Sequence, residues 1–124
     1  MEKYFLTYGT LKKNHGNHRL LQAPGVDFIG NFETEPKYTL LDGGFPVVER
    51  GGNTSIKGEL YKVTNPEVVN RVNALEGYSG QRGHESNWYD TDEVVLANGI
   101  VADMFVMDKG QSGRTAVVES GEWR

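Results

Sequence analysis

The sequence predicts a mixed α+β fold: a small closed or strongly curved β-barrel with one or two flanking helices. Three observations carry that reading. Short runs rich in aromatic and β-branched residues recur along the chain, from Tyr4-Phe5-Leu6-Thr7-Tyr8 to Val101-Ala102-Asp103-Met104-Phe105, and such side chains suit a pleated, buried surface. Glycine numbers 16 among 124 residues, where average usage of roughly 7% would give about nine. Many of these sit in turn-like contexts, Gly43-Gly44, Gly51-Gly52, Gly77, Gly80, Gly83, Gly110 and Gly113. One segment, from Pro66, carries a full set of helix signals. Many strands and few helices place the helices outside a curved sheet. With no internal repeat, low-complexity stretch or linker, residues 1–124 form one domain, long enough to bury a real core.

Taken in order, Tyr4 to Tyr8 is a first strand, apolar enough to be covered on both faces, and it runs into a tight turn at Gly9. Asn17 to Gln22, with Leu20 and Leu21, forms a short helix stopped by Pro24-Gly25. Val26 to Phe32 is a second strand. Tyr38 to Leu41 and Pro46 to Glu49 flank Asp42-Gly43-Gly44, a strong turn signal. Ile56 to Val63 is the cleanest alternation in the chain, and Gly58 within it marks a bulge or a close backbone approach. The helix then starts at a Thr64 or Asn65 cap, with Pro66 at the first helical position and Glu67 at the positive end of the dipole. Val68, Val69, Val72 and Leu75 form its apolar stripe and Gly77 ends it. Ser79 to Asn87 is a polar, mobile loop. Trp88 to Leu96 and Ile100 to Met107 are the last two strands, joined at Asn98-Gly99. Trp123 packs back on the body.

Composition excludes several function classes. Asp+Glu total 17 against 13 Lys+Arg, a formal charge of -4, and the only tight basic group is Lys12-Lys13, so nucleic acid is not an expected partner. Cysteine is absent, which removes disulfides, thiol nucleophiles and thiolate metal sites. No apolar run is long enough to span a bilayer and Met1-Glu2-Lys3-Tyr4 does not open a signal peptide. The expectation is a cytoplasmic protein with no membrane partner.

Two places can carry chemistry. At Tyr8-Gly9-Thr10-Leu11 a buried strand breaks into a glycine turn, whose consecutive N–H groups can converge on an anion; the plainer reading is a strand end. Glu76, in Ala74-Leu75-Glu76-Gly77-Tyr78, sits at the negative end of the helix, where a carboxylate is disfavoured by about 0.3–1 kcal/mol. There it is either a solvated helix-end residue or an acid of raised pKa fit for proton transfer. Tyr78, Trp88 and Tyr89 line a ligand cleft or pack in the core. Glu49 and Glu59 are expected to face solvent. His15, His18 and His84 lack a nearby third ligand and are expected in loops or at the surface, with no metal site. No Ser sits in a nucleophile turn.

In order, these pieces resemble the gamma-glutamylcyclotransferase-like superfamily, specifically its short members related to gamma-glutamylamine cyclotransferase. Tyr8-Gly9-Thr10-Leu11-Lys12 is similar to the family's opening strand-turn motif, with Asn17 in the place of a recurrent downstream Asn. Gly44-Phe45-Pro46-Val47-Val48 resembles its aromatic-Pro segment, and Gly58 to Val63 the strand before the main helix. Ala74 to Tyr78 matches the segment carrying the catalytic acid, and Tyr89 opens the next strand. Val101 to Val106 and Gly121-Glu122-Trp123 complete the pattern.

The resemblance implies a β-barrel and a pocket shared by the opening turn and Glu76. It implies cyclisation of a gamma-glutamyl amine or amino acid to 5-oxoproline with release of the amine, as a lyase or acyltransferase without cofactor. Glu76 is then the general acid/base. Tyr8, Gly9, Thr10, Leu11 and Tyr89 bind substrate, the turn holding its α-carboxylate or polarising its carbonyl. Phe105 stands where family members often carry Tyr, and Ser79 to Glu85 is this chain's own loop, whose Arg82 and His84 either bind a second carboxylate or are solvated. The alternatives are a non-catalytic binder of small carboxylated amines on the same scaffold, or an interaction module pairing through a strand edge.

Overall fold

The structure, a computed structural model, describes residues 2–123. Its strands are β1 (Lys3–Thr7), β2 (Val26–Glu33), β3 (Tyr38–Asp42), β4 (Val47–Arg50), β5 (Lys57–Val63), β6 (Asp90–Val95), β7 (Val101–Val106) and β8 (Ala116–Val117). One helix, α1 (Pro66–Leu75), lies between β5 and β6, and a 3₁₀ turn (His18–Leu21) stands in place of the short helix expected there. The two-residue β8 was not expected; two residues are too few to show an alternation.

The strands form two sheets, ordered β2-β5-β1-β7-β6 and β4-β3-β8. They do not close into a barrel, which corrects the barrel expectation. Among the described residues the backbone of β4 pairs with the large-sheet chain only by an isolated bridge, Glu49 to Met107, held by Met107 N–H to Val48 O at 2.8 Å and Arg50 N–H to Met107 O at 2.9 Å. That bridge lies just beyond the end of β7, so no continuous ladder joins the sheets and β2 and β6 remain edges.

Alternation along β1 explains the layering. Phe5 joins Tyr61, Val63 and Phe105 on the face covered by Val68, Val69 and Val72 of α1. Leu6 joins Leu60, Met104 and Val106 on the other face, under Leu40, Tyr38 and Val48 of the small sheet. The central strand is therefore buried on both sides, as its unbroken apolar run requires. β1 and β5 pair antiparallel with Leu6 opposite Leu60. There Gly58 allows the close approach: a Cβ on it would lie 2.5 Å from the Thr7 carbonyl oxygen.

The helix start follows its signals. Asn65 is the cap, its side chain accepting from Glu67 N–H at 3.0 Å, and Pro66 is the first helical residue. Such a cap contributes about 1 kcal/mol. Leu75 departs from the expected stripe and is exposed.

Two polar expectations are corrected. Glu49 is buried: it accepts from Gly110 N–H at 2.9 Å and Ser112 N–H at 3.1 Å, and from the Ser112 hydroxyl. Burial alone would raise its pKa, but the Ser112 hydroxyl and these two N–H groups outweigh it and hold the carboxyl below its ordinary value. Glu59 is half-buried and accepts from Lys13 N–H and the Tyr61 hydroxyl, each at 2.8 Å. In the 79–87 loop, Ser79 N–H donates to Asn87, Gly83 N–H to Asp90, and Arg82 to Thr91 and Asp103. Asp103, buried, is also paired with Lys3 at 2.7 Å. Trp123 packs on the Leu6 face, its ring centroid 4.8 Å from that of His15. No helix among the described residues is long and apolar enough to cross a membrane.

Candidate active site

A cavity of about 550 Å³ opens where β1, the end of α1, the entry to β6 and the β3–β4 turn converge. Tyr8, Gly9, Thr10, Leu11, Glu76 and Tyr89 all line it, together with the exposed Phe45 and Trp88 and the buried Pro46, Leu6 and Phe105. That volume falls in the usual range for small-molecule sites.

The opening turn is fixed by its own hydrogen bonds. Lys12 N–H donates to Gly9 O and Asn17 N–H to Thr10 O, each at 3.0 Å, while the Asn17 side-chain amide donates to the Thr10 hydroxyl at 2.8 Å. Among the described residues, no protein acceptor meets the N–H groups of Gly9, Thr10 or Leu11. Gly9 is needed for space and not for a left-handed backbone, since its φ is not positive. A Cβ there would stand 2.8 Å from Pro46 Cγ.

Glu76 is the C-cap of α1, its N–H donating to Val72 O at 3.1 Å. Gly77 follows at φ 63°, a left-handed value that suits glycine. The chain is then clamped to the β6 entry: Trp88 N–H donates to Gly77 O at 2.8 Å and Tyr89 N–H to Glu76 O at 3.3 Å. The helix-end acid and the Tyr89 phenol are thus carried on one short paired segment.

Electrostatics single out Glu76. Burial raises its pKa to about 7. Among the described residues no hydrogen-bond donor or cation pairs with its carboxylate to pull it back. The Tyr8 phenol is pushed far up by burial first, then by the Tyr89 phenol and the Glu76 charge, against the Val48 N–H that favours its anion. It donates to Phe105 O at 2.8 Å. Tyr89 is pushed up to about 12 by burial and by Glu76, while the charge of Arg114 pulls the other way. Its hydroxyl reaches Pro46 O only at 3.4 Å. Both phenols are therefore neutral donors near neutral pH, beside a carboxyl poised between its two forms.

Phe105 fills its wall by ring packing against Phe5, Tyr78 and Tyr89, with centroids 5.9, 5.9 and 6.5 Å away. The other candidates lie elsewhere. Tyr78 is outside the cavity lining, its hydroxyl accepting from Thr91 at 3.2 Å. Arg82 is engaged by Thr91 and Asp103, and His84 by Ser86. Among the described residues no group of three or more His, Asp or Glu side chains is placed to hold a metal. Sequence reasoning missed Arg114, whose guanidinium lies 4.1 Å over the Phe45 ring.

The model of the family described as gamma-glutamyl cyclotransferase, AIG2-like, matches residues 5–124. The chain belongs to the AIG2-like gamma-glutamyl cyclotransferase family. An Arabidopsis thaliana relative, named as a candidate gamma-glutamylcyclotransferase, is 38% identical over 86 residues, 63% of this chain and 44% of the relative. A Vibrio cholerae relative of the same designation is 42% identical over 65 residues, 51% of this chain and 53% of the relative. The chain thus spans about half the length of the curated relatives it matches. Among solved structures, an AIG2-like protein of Mus musculus superposes with TM-score 0.76 at 15% identity, covering 99% of this chain and 88% of that one. An uncharacterised protein of Pyrococcus horikoshii gives 0.72 at 25% identity, covering 97% and 88%. The mouse likeness shows the AIG2-like fold alone.

Proposed function

We propose that the chain is a gamma-glutamyl cyclotransferase, converting a gamma-glutamyl amine or amino acid to 5-oxoproline and the free amine. The observation that carries this is the single cavity shared by an unpaired, partly protonated Glu76 and the free N–H groups of Gly9, Thr10 and Leu11.

The substrate supplies its own nucleophile, so a site that folds its α-amine onto the γ-carbonyl accelerates the reaction by proximity alone. The α-ammonium must first lose a proton, and a carboxyl group titrating near 7 is matched to accept it at neutral pH. The amine nitrogen then bonds to the carbon of the γ-carbonyl, closing a five-membered ring. As the old carbon–nitrogen bond breaks, Glu76 returns the proton to the departing nitrogen. Two protons pass in all, one before ring closure and one from the ring nitrogen after it, leaving a lactam N–H and an ammonium product. No cation lines the cavity among the described residues, so the substrate α-carboxylate falls to the turn N–H groups. The Tyr89 hydroxyl, beside the Tyr8 phenol and reaching Pro46 O only at 3.4 Å, would donate to the γ-carbonyl oxygen as charge develops on it.

Purified protein incubated with gamma-glutamyl amino acids and gamma-glutamyl-ε-lysine is expected to release 5-oxoproline and amine in equal amounts. Ligand-raised thermal stability with no 5-oxoproline would overturn this reading in favour of the non-catalytic binder.

A further inference from the structure

A second hollow, of about 230 Å³, adjoins the cavity, and Phe45 and Trp88 line both. Val47 and Met107 give it apolar walls and Arg114 gives it a cation. Of the eight exposed large hydrophobic side chains among the described residues, Phe45, Leu75 and Trp88 stand together on the main cavity. Apolar surface gathered at one mouth marks a binding feature more than chance exposure does.

Arg114 is built into this place. Its guanidinium stacks on Phe45 and donates to the Phe45 carbonyl. Its N–H donates to the Ser112 hydroxyl at 3.2 Å, and Ser112 is anchored by buried Glu49. Room for the side chain comes from Gly43, where a Cβ would stand 2.8 Å from Arg114 Nε. Unlike Arg50, Arg71 and Arg82, Arg114 meets no carboxylate at ion-pair distance among the described residues. A planar guanidinium held over an aromatic ring with no acid of its own is suited to recognising a carboxylate.

Resting on the cyclotransferase reading, we propose that this hollow receives the departing half of the substrate and that Arg114 binds a carboxylate on it. The preferred substrates are then gamma-glutamyl amino acids with an apolar or aromatic side chain, which Phe45, Trp88, Val47 and Met107 cover. Gamma-glutamyl alkylamines, which lack that carboxylate, are poorer substrates.

The test pairs gamma-glutamyl-phenylalanine with gamma-glutamyl-phenethylamine, which differ only in the carboxylate. The ratio of their kcat/KM values in the wild type is expected to favour the acid by about tenfold, as a single charge-assisted pairing would give. Arg114→Met is expected to bring the ratio near one, mainly through KM, and Arg114→Lys to restore part of it. A structural role alone would lower both substrates together and leave the ratio unchanged, which would overturn the proposal. Calorimetric titration of the Glu76→Gln protein with the same two compounds reads the preference without turnover. Equal affinity for both would overturn the subsite even if 5-oxoproline is formed. Tighter binding of the acid, lost in the Glu76→Gln/Arg114→Met double variant, would support the subsite even if none is formed.

Discussion

Replacing Glu76 by Gln keeps the size of the side chain and removes its titration, so the variant isolates what the ionised carboxylate does to stability. Burial raises the Glu76 pKa from 4.5 to about 7. The fold therefore favours the neutral acid. Below about pH 4.5 the group is protonated in both folded and unfolded chains, and wild type and variant should be equally stable. Between about pH 4.5 and 7 the unfolded chain gives up this proton while the folded one retains it, so wild-type stability falls as pH rises. Above about pH 7 the folded protein carries the full cost of a partly desolvated, unpaired charge. The rise from 4.5 to about 7 corresponds to about 3 kcal/mol. Solvent reaching the carboxylate through the open mouth reduces this to roughly 1.5–3 kcal/mol. For a domain of this size that corresponds to a Tm higher by roughly 5–12 °C in Glu76→Gln at about pH 8, and no difference at about pH 4. Thermal melts across that range provide the assay. Curves for the two proteins that stay parallel with pH would refute the raised pKa.

Three further outcomes are expected. The kcat/KM profile should show an acid limb with an apparent pKa near 7, because only the ionised form of Glu76 can take the substrate's proton; a rate flat from about pH 5.5 to 8 would count against it. Gly77→Ala, which forces a side chain into a left-handed backbone and brings its Cβ to 2.7 Å from that of Trp88, should cost at least about 1–2 kcal/mol by urea unfolding. It should also slow turnover by displacing Glu76. Glu49→Gln should destabilise by about 1.5–3 kcal/mol near neutral pH, the worth of a charge-assisted hydrogen bond. Because the wild-type carboxyl is held below its ordinary pKa, that gap should narrow as acid protonates it, a trend readable in melts at falling pH.

Much of this fold is legible where local chemistry and tertiary packing agree. Asn65, Pro66 and Gly77 mark the helix by capping rules that need no partner, and the structure follows them. The apolar run of β1 announces a strand covered twice, and Phe5 and Leu6 do face opposite cores. What is not legible depends on distant partners. Sheet closure turns on where the β3–β4 hairpin meets Met107, and a single bridge leaves no mark on local pattern. Glu49 reads as a solvent-facing strand acid because its donors, Gly110 and Ser112, lie about sixty residues away. Arg114 sits in an unpatterned loop, and its place beside the cavity comes from stacking on Phe45, 69 residues earlier. The candidate site divides the same way. Each half is a local anomaly, a glycine-broken strand and an acid at the wrong end of a helix. Only the pairing of the helix end with Trp88 and Tyr89, and of Gly9 with Pro46, brings the halves to one cavity.

The most direct measurement is single-turnover formation of 5-oxoproline from a gamma-glutamyl amino acid, quantified for wild type and Glu76→Gln side by side at about pH 7.5. Both proteins are first verified as folded by their melting curves. Stoichiometric 5-oxoproline from the wild type, with the Gln variant slower by roughly two to four orders of magnitude, is the expected result. Equal rates in the two proteins would contradict the role of Glu76, and no product from either would contradict the activity itself.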